Sequence, residues 1–212
     1  MRVDERNLIE ACSHLSGSDP VFAELLARNG TPPLWSRPPG FPTLVRLILE
    51  QQVSLASGRA AFDRLEARLG RVTPSRFVTL DDGELRAIGF SRQKARYVRL
   101  LSDAVDRGVF EFDEVGRLDD EDAAEALVTL TGVGPWTAAN YMLFAESRAD
   151  VWPRGDRALV VSLGRAMGAA QPPGYDEADA MAERWRPWRA VAARMLWHDY
   201  LGGRAHDPAG LA

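Results

Sequence analysis

Two short stretches hold the residues that could do chemistry. In LTGVGPW, residues 130–136, Gly132 and Gly134 flank Val133, and Pro135 with Trp136 leads into a helical run. Glycines at that spacing permit positive φ and let another group come close to the backbone. Proline suits the first turn of a helix, where its missing N–H is not needed. The free N–H groups of such a turn, with the helix dipole, form a site for an anion such as phosphate. A plain αα-corner has the same sequence. Twenty residues beyond Trp136, in VWPRGDRALV, stands Asp156. It is placed to cap a helix over 157–168, and a helix N-terminus favours its negative charge. Gly155 leaves space beside the carboxylate. An ionised aspartate facing a cleft is what water activation or stabilisation of an oxocarbenium-like sugar requires, and capping does not conflict with either.

The elements that must position these residues are helices. Apolar periodicity predicts them over 4–15, 20–28, from Pro42 through LVRLILEQQ, and from Ser54 to a C-cap at Gly70. Thr73-Pro74 and Asp81-Asp82 read as further starts, the second ending near Gly89. Ser91 can cap a basic helix to about Gly108, and Asp119 or Asp120 opens one to Thr129. The run after the hairpin extends to about Ser147, and residues 176–185 and 187–201 finish the chain. The proline-rich stretch 31–42 is a connection. No stretch alternates like a strand, so the class is all-α, with about ten short helices and no repeats.

The 212 residues suffice for one sizeable core, or for two small lobes. No apolar run reaches the ~18 residues of a membrane span. The N-terminus lacks the apolar region of a signal peptide. A single cysteine, Cys12, excludes an internal disulfide and a four-cysteine iron–sulfur cluster, and a reducing cytoplasmic setting is the default. The net charge of −4 argues mildly against nucleic acid, but residues 103–125 carry ten of the carboxylates. Two other stretches are locally basic: Arg92, Lys94, Arg96 and Arg99, then Arg184, Arg186, Arg189 and Arg194. Either could be a solvated helix face or a phosphate-binding one. Lys94 is the only lysine. On the last helix Trp188, Val191 and Met195 share a stripe suited to a core. Trp197 lies roughly 200° around from Met195, which suits a ring leaning into a cleft or a helix buried on every side.

Taken together, LTGVGPW with Asp156 twenty residues on resembles the helix-hairpin-helix DNA glycosylase superfamily. FPTLVRLILEQQVSLASGRAAFDRL, GFSRQKARYVRLL and AERWRPWRAVAARMLWHDY are similar to its alkylbase branch, 3-methyladenine DNA glycosylase II (AlkA type), over about residues 41–200. The resemblance implies two helical lobes with the active-site cleft between them, approximately 42–148 and 1–41 plus 149–212. The N-terminal β domain of longer relatives has no counterpart in this sequence.

It further implies a base excision repair enzyme that flips alkylated bases out of duplex DNA and hydrolyses the N-glycosidic bond. On this reading Gly132, Val133 and Gly134 grip a DNA phosphate through main-chain N–H groups, and Asp156 is the catalytic aspartate. Trp136 and Trp197 wall the base pocket, and Gln52, rather than Gln51, is the wedge that fills the gap left by the flipped nucleotide. The resemblance implies no cofactor and no firm metal site, although the hairpin carbonyls could hold a monovalent cation. The expected partner is double-stranded DNA containing damaged bases, bound by a monomer with no membrane association, in the cytoplasm and on the nucleoid. A cationic base such as 3-methyladenine is attracted to indole faces by about 0.5–2 kcal/mol and leaves readily, so one aspartate suffices. Relatives that also nick the strand carry a lysine where this chain has Trp136, so a monofunctional enzyme is expected. Asn140, one turn after Trp136, replaces an aromatic residue and offers hydrogen bonds instead. A shifted preference for 1-methyladenine, hypoxanthine or uracil is one alternative. A non-catalytic module that binds damaged DNA is the other.

Overall fold

The structure, a computed structural model, describes residues 1–202. These form two compact units, residues 1–36 with 142–202, and Arg37–Tyr141. Among the described residues there are thirteen α-helices, one 3-10 turn and no strand, only an isolated bridge between Arg2 and Arg148.

The first unit holds α1 (Glu5–Ser18) and α2 (Pro20–Asn29). Asp4 and Asn7 form a capping box on α1, and Asp19 caps α2. Asp19 Oδ2 also accepts from Trp185 Nε1 at 2.9 Å, and the Trp185 ring meets Phe22 edge-on at 5.0 Å. Capping and core packing thus converge on one carboxylate. Cys12 is buried in α1, and burial pushes its thiol up to about 12, which keeps it protonated and unreactive.

The second unit runs through α3 (Phe41–Glu50), α4 (Leu55–Leu69), α5 (Pro74–Phe77), α6 (Asp82–Ile88) and α7 (Arg92–Asp106). It continues with α8 (Phe112–Val115), α9 (Asp120–Val128) and α10 (Pro135–Phe144), whose last residues count with the first unit. At Gly58, α4 crosses α3 closely: a Cβ there would stand 3.0 Å from the Glu50 Cα. Glu50 is buried and held by Arg37 (3.0 Å) and Arg46 (3.2 Å), so a charged triad closes the C-terminal end of α3.

The chain then completes the first unit with α11 (Arg157–Ala166), α12 (Tyr175–Ala182), the 3-10 turn Glu183–Trp185 and α13 (Arg189–Tyr200). Helices α11, α2 and α1 all pack on α13. Every residue of α13 from Ala190 to Asp199 is buried.

Several expected boundaries differ. Helix α8 was not expected from the sequence: it is a single turn, and no side chain caps it. Its Phe112 is held by ring contacts with Phe110 (5.1 Å) and Tyr141 (5.6 Å). Helix α10 ends at Phe144 rather than near Ser147, whose φ of 54° is left-handed. Trp188 precedes α13 as its N-cap and is half-buried, so it does not share the core stripe expected for it.

Candidate active site

Asp156 is the N-cap of α11, as its sequence position suggests. Its Oδ1 accepts from Leu159 N at 3.1 Å. The same oxygen accepts from Trp197 Nε1 at 3.3 Å, so the aspartate and the tryptophan of α13 meet directly. Trp197 is only 8 % exposed, and its ring stacks on Phe144 at 5.4 Å and 20°. Because α13 is buried all round, the angular separation of Trp197 from Met195 carries no information about which side faces a ligand. The hydrogen bond to Asp156 shows instead what its indole N–H meets.

Phe144 was not singled out in the sequence, and the arginine beside it was expected only as part of a basic stretch. Arg194 lies 5.9 Å from the Phe144 ring and is completely buried. Its Nε donates to Leu34 O (2.8 Å) and its Nη2 to Leu143 O (3.0 Å). Burial pulls the guanidinium down to about 9. The expectation that Arg194 belongs to a basic surface is therefore wrong, because the helix carrying it has no solvent face. Its neighbours in sequence are neutralised: Arg184 pairs with Asp19, and Arg186 and Arg189 pair with Asp150 and Glu183. Trp35, Trp152 and Trp185 are buried core residues.

The second unit holds the hairpin. Gly132 has φ 91°, a left-handed value that glycine adopts without strain. A Cβ there would overlap the Tyr97 ring, lying 2.8 Å from Cε2 and nearer still to Cδ2 and Cγ. Gly134 differs. It has no left-handed φ, and nothing lies within 4 Å of where its Cβ would be. Neither backbone conformation nor protein packing requires glycine at 134. Pro135 opens α10 as the sequence suggests, and Val133 is buried.

Trp136 is half-buried. Asn140 faces back along its own helix, donating Nδ2 to Trp136 O at 2.8 Å, so this part of its amide is committed within α10. The two glutamines of the 51–52 turn separate clearly. Gln51 Nε2 donates to Gly132 O (2.8 Å) and Thr137 Oγ1 (2.9 Å). Gln52 is exposed with φ 56°, and exposed Val53 (45 %) and Leu55 (42 %) follow it. Sequence reading passed over that apolar pair, because Leu55 falls in line with Phe62 at helical spacing and reads as core.

The basic helix α7 is not a uniform surface either. Arg92 and Arg96 are exposed, but Arg99 pairs with Asp82 and donates to Leu80 O. Lys94 Nζ donates to Leu49 O (2.8 Å) and Gln51 O (2.7 Å), and burial lowers its ammonium below the ordinary lysine range. Among the described residues no group of three or more His, Cys, Asp or Glu could hold a metal ion, and no helix is long and apolar enough to cross a membrane.

Residues 45–188, more than half of the chain, match the HhH-GPD superfamily of base excision DNA repair proteins. The chain belongs to this family. It is similar to the alkylbase DNA glycosidase-like protein mag2 of Schizosaccharomyces pombe, 25% identical over 87% of this chain and 90% of that one. A putative DNA-3-methyladenine glycosylase of Bacillus subtilis is 27% identical over 73% of this chain. The chain spans 56% of that longer relative. Among solved structures, the 3-methyladenine DNA glycosylase of Schizosaccharomyces pombe in complex with abasic DNA superposes with a TM-score of 0.82. It is 26% identical, with 89% of this chain and 95% of that chain covered.

Proposed function

We propose that this HhH-GPD protein is a monofunctional DNA glycosylase that removes alkylated bases of the 3-methyladenine kind from duplex DNA and leaves an abasic site. The observation that carries the reading is the contact between Asp156 and Trp197. One carboxylate and one large aromatic face, backed by Phe144, meet at the start of α11. An indole attracts a cationic base, and a fixed negative charge stabilises positive charge developing on a sugar. As the C1′–N bond breaks, its electron pair leaves with the base; water then adds at C1′ and loses a proton. Asp156 either steadies the oxocarbenium-like sugar or orients that water.

The remaining roles follow the same reading. The N–H groups at Gly132 and Gly134 hold a phosphate, supported by the open space at Gly134, whereas the Val133 N–H expected to join them is given to Leu130 O at 3.0 Å. Gln52 is the wedge, supported by its exposure beside Val53, while Gln51 is engaged with the hairpin. Trp136 and Asn140 contact the base, Asn140 through whatever its committed amide leaves free. A monovalent cation on the hairpin would share carbonyls already in use, since Leu130 O accepts from Val133 N and Gly132 O from Gln51. The only lysine gives two hydrogen bonds to carbonyls of its own unit, which supports the absence of strand nicking through a Schiff base. A cytoplasmic setting is consistent with the buried, unpaired Cys12.

The test is a panel of duplexes carrying 3-methyladenine, 1-methyladenine, hypoxanthine or uracil, incubated with the protein and then treated with alkali. Strand cleavage that depends on alkali, strongest with 3-methyladenine, is expected. Tight binding with no cleavage of any duplex would sink the enzyme reading in favour of a damage-binding module. Cleavage without alkali would contradict monofunctional chemistry.

Trp197→Phe separates the two uses of the indole. Phenylalanine keeps a ring against Phe144 but removes the donor to Asp156. A hydrogen bond to a charged group contributes about 1.5–3 kcal/mol, and this one is long, so single-turnover excision is expected to slow roughly tenfold. Affinity for an abasic duplex should change little. A rate equal to wild type would show that the hydrogen bond does not matter to the chemistry.

A further inference from the structure

The only lysine is placed against its own helix dipole. Lys94 sits in the first turn of α7, where a positive charge is disfavoured, yet its ammonium reaches the C-terminal end of α3. There it bonds Leu49 O, a carbonyl of the last turn, and Gln51 O, the C-cap, where a cation is favoured. Gln51 in turn spends its side-chain amide on Gly132 O and Thr137 Oγ1, the hairpin and the first turn of α10. One turn along α7 from Lys94, the Tyr97 ring fills the space that a side chain at Gly132 would need. Between the anchored Gln51 and the Ser54 cap of α4, the chain turns outward at Gln52 with its left-handed φ.

We infer that Lys94 and Gln51 are positioning residues that lock the glutamine turn to the hairpin, so that the wedge and the phosphate grip meet a duplex at one fixed spacing. This rests on the glycosylase reading for what the two elements touch, but the lock itself lies wholly within the second unit. Its purpose is geometric. Unstacking a nucleotide costs a few kcal/mol, and a wedge offsets that only while the backbone is gripped at the matching distance. Neither residue touches the base or the sugar. Lys94 makes two hydrogen bonds to carbonyls at the C-terminal end of α3, and Gln51 carries that restraint into the hairpin.

The experiment uses the full chain as Lys94→Met and as Gln51→Glu. The second variant keeps the size of the side chain but turns the donor that faces Gly132 O into a carboxylate, and it serves should Lys94→Met fail to fold. Three readouts apply: thermal unfolding, the fluorescence of 2-aminopurine next to a tetrahydrofuran abasic analogue in a duplex, and single-turnover excision of 3-methyladenine. A misplacement of about 1 Å can cost roughly 100-fold in rate, so a folded variant should excise about 100-fold more slowly. The 2-aminopurine signal should fall, and the preference for the abasic duplex over an undamaged one should drop roughly tenfold, the loss of one charged hydrogen bond. A folded variant with wild-type fluorescence and preference overturns the inference, whatever its rate. If wild type excises nothing, the glycosylase reading fails, while fluorescence and preference still decide the lock.

Discussion

Asp156→Asn is expected to slow base release from duplex DNA by on the order of 10³-fold, about 4 kcal/mol of transition-state stabilisation, without a matching loss of fold or of DNA affinity. The reason lies in what the substitution keeps. Asparagine is nearly the same size and is as good an N-cap, so the bond from Leu159 N at 3.1 Å survives on an amide oxygen. The same oxygen can still accept from Trp197 Nε1. Only the negative charge disappears, and the charge is what a sugar developing positive character would feel. Asp156→Ala is a useful contrast, because it removes the cap as well and should cost about 1 kcal/mol in unfolding free energy. Single-turnover excision and urea unfolding of the two variants separate the effects. A near-normal rate in Asp156→Asn would remove the aspartate from the chemistry and leave it a helix cap only.

The second large effect is at the hairpin. Gly132→Ala meets two obstacles together: a φ of 91° that alanine adopts only with strain, and an overlap with the Tyr97 ring. Left-handed backbone at a residue with a side chain costs about 1–3 kcal/mol, and the ring is a rigid obstacle that cannot fold away like a flexible chain end. The hairpin must move, so unfolding should become easier by roughly 2–4 kcal/mol and abasic-duplex affinity should drop tenfold or more. Gly134→Ala is the control that gives this meaning. Nothing in the protein stands within 4 Å of its Cβ, so stability should stay within about 0.5 kcal/mol. Any loss of DNA affinity there reports crowding against the DNA itself. Full affinity in Gly134→Ala would argue that no phosphate comes close at that position.

How much of this was legible depends on how local each feature is. The hairpin, Pro135 at the start of α10 and the Asp156 cap are set by residues within a turn of one another, and the sequence displays them directly. Conformation was less legible than residue type. Gly132 and Gly134 look equivalent as letters, but only Gly132 takes the left-handed φ. Single-turn α8 escaped because its ring contacts, not a cap or a period, hold it. The basic stretches misled for a different reason. Charge along a chain does not reveal whether a carboxylate waits opposite, as Asp150 and Asp19 do, or whether the helix is buried, as at Arg194.

What the sequence by itself determined is the all-helical class, the starts of the side-chain-capped helices, and the residue types at the hairpin and the cap, because capping and backbone freedom act over three or four residues. Only the tertiary structure decided that Trp197 reaches Asp156 from 41 residues away, and that Lys94 closes the end of α3 from 45 and 43 residues away. Helical periodicity can assign a face only when one side of the helix meets water. On α13 no such side exists between Ala190 and Asp199, so what Trp197 touches was fixed by packing alone.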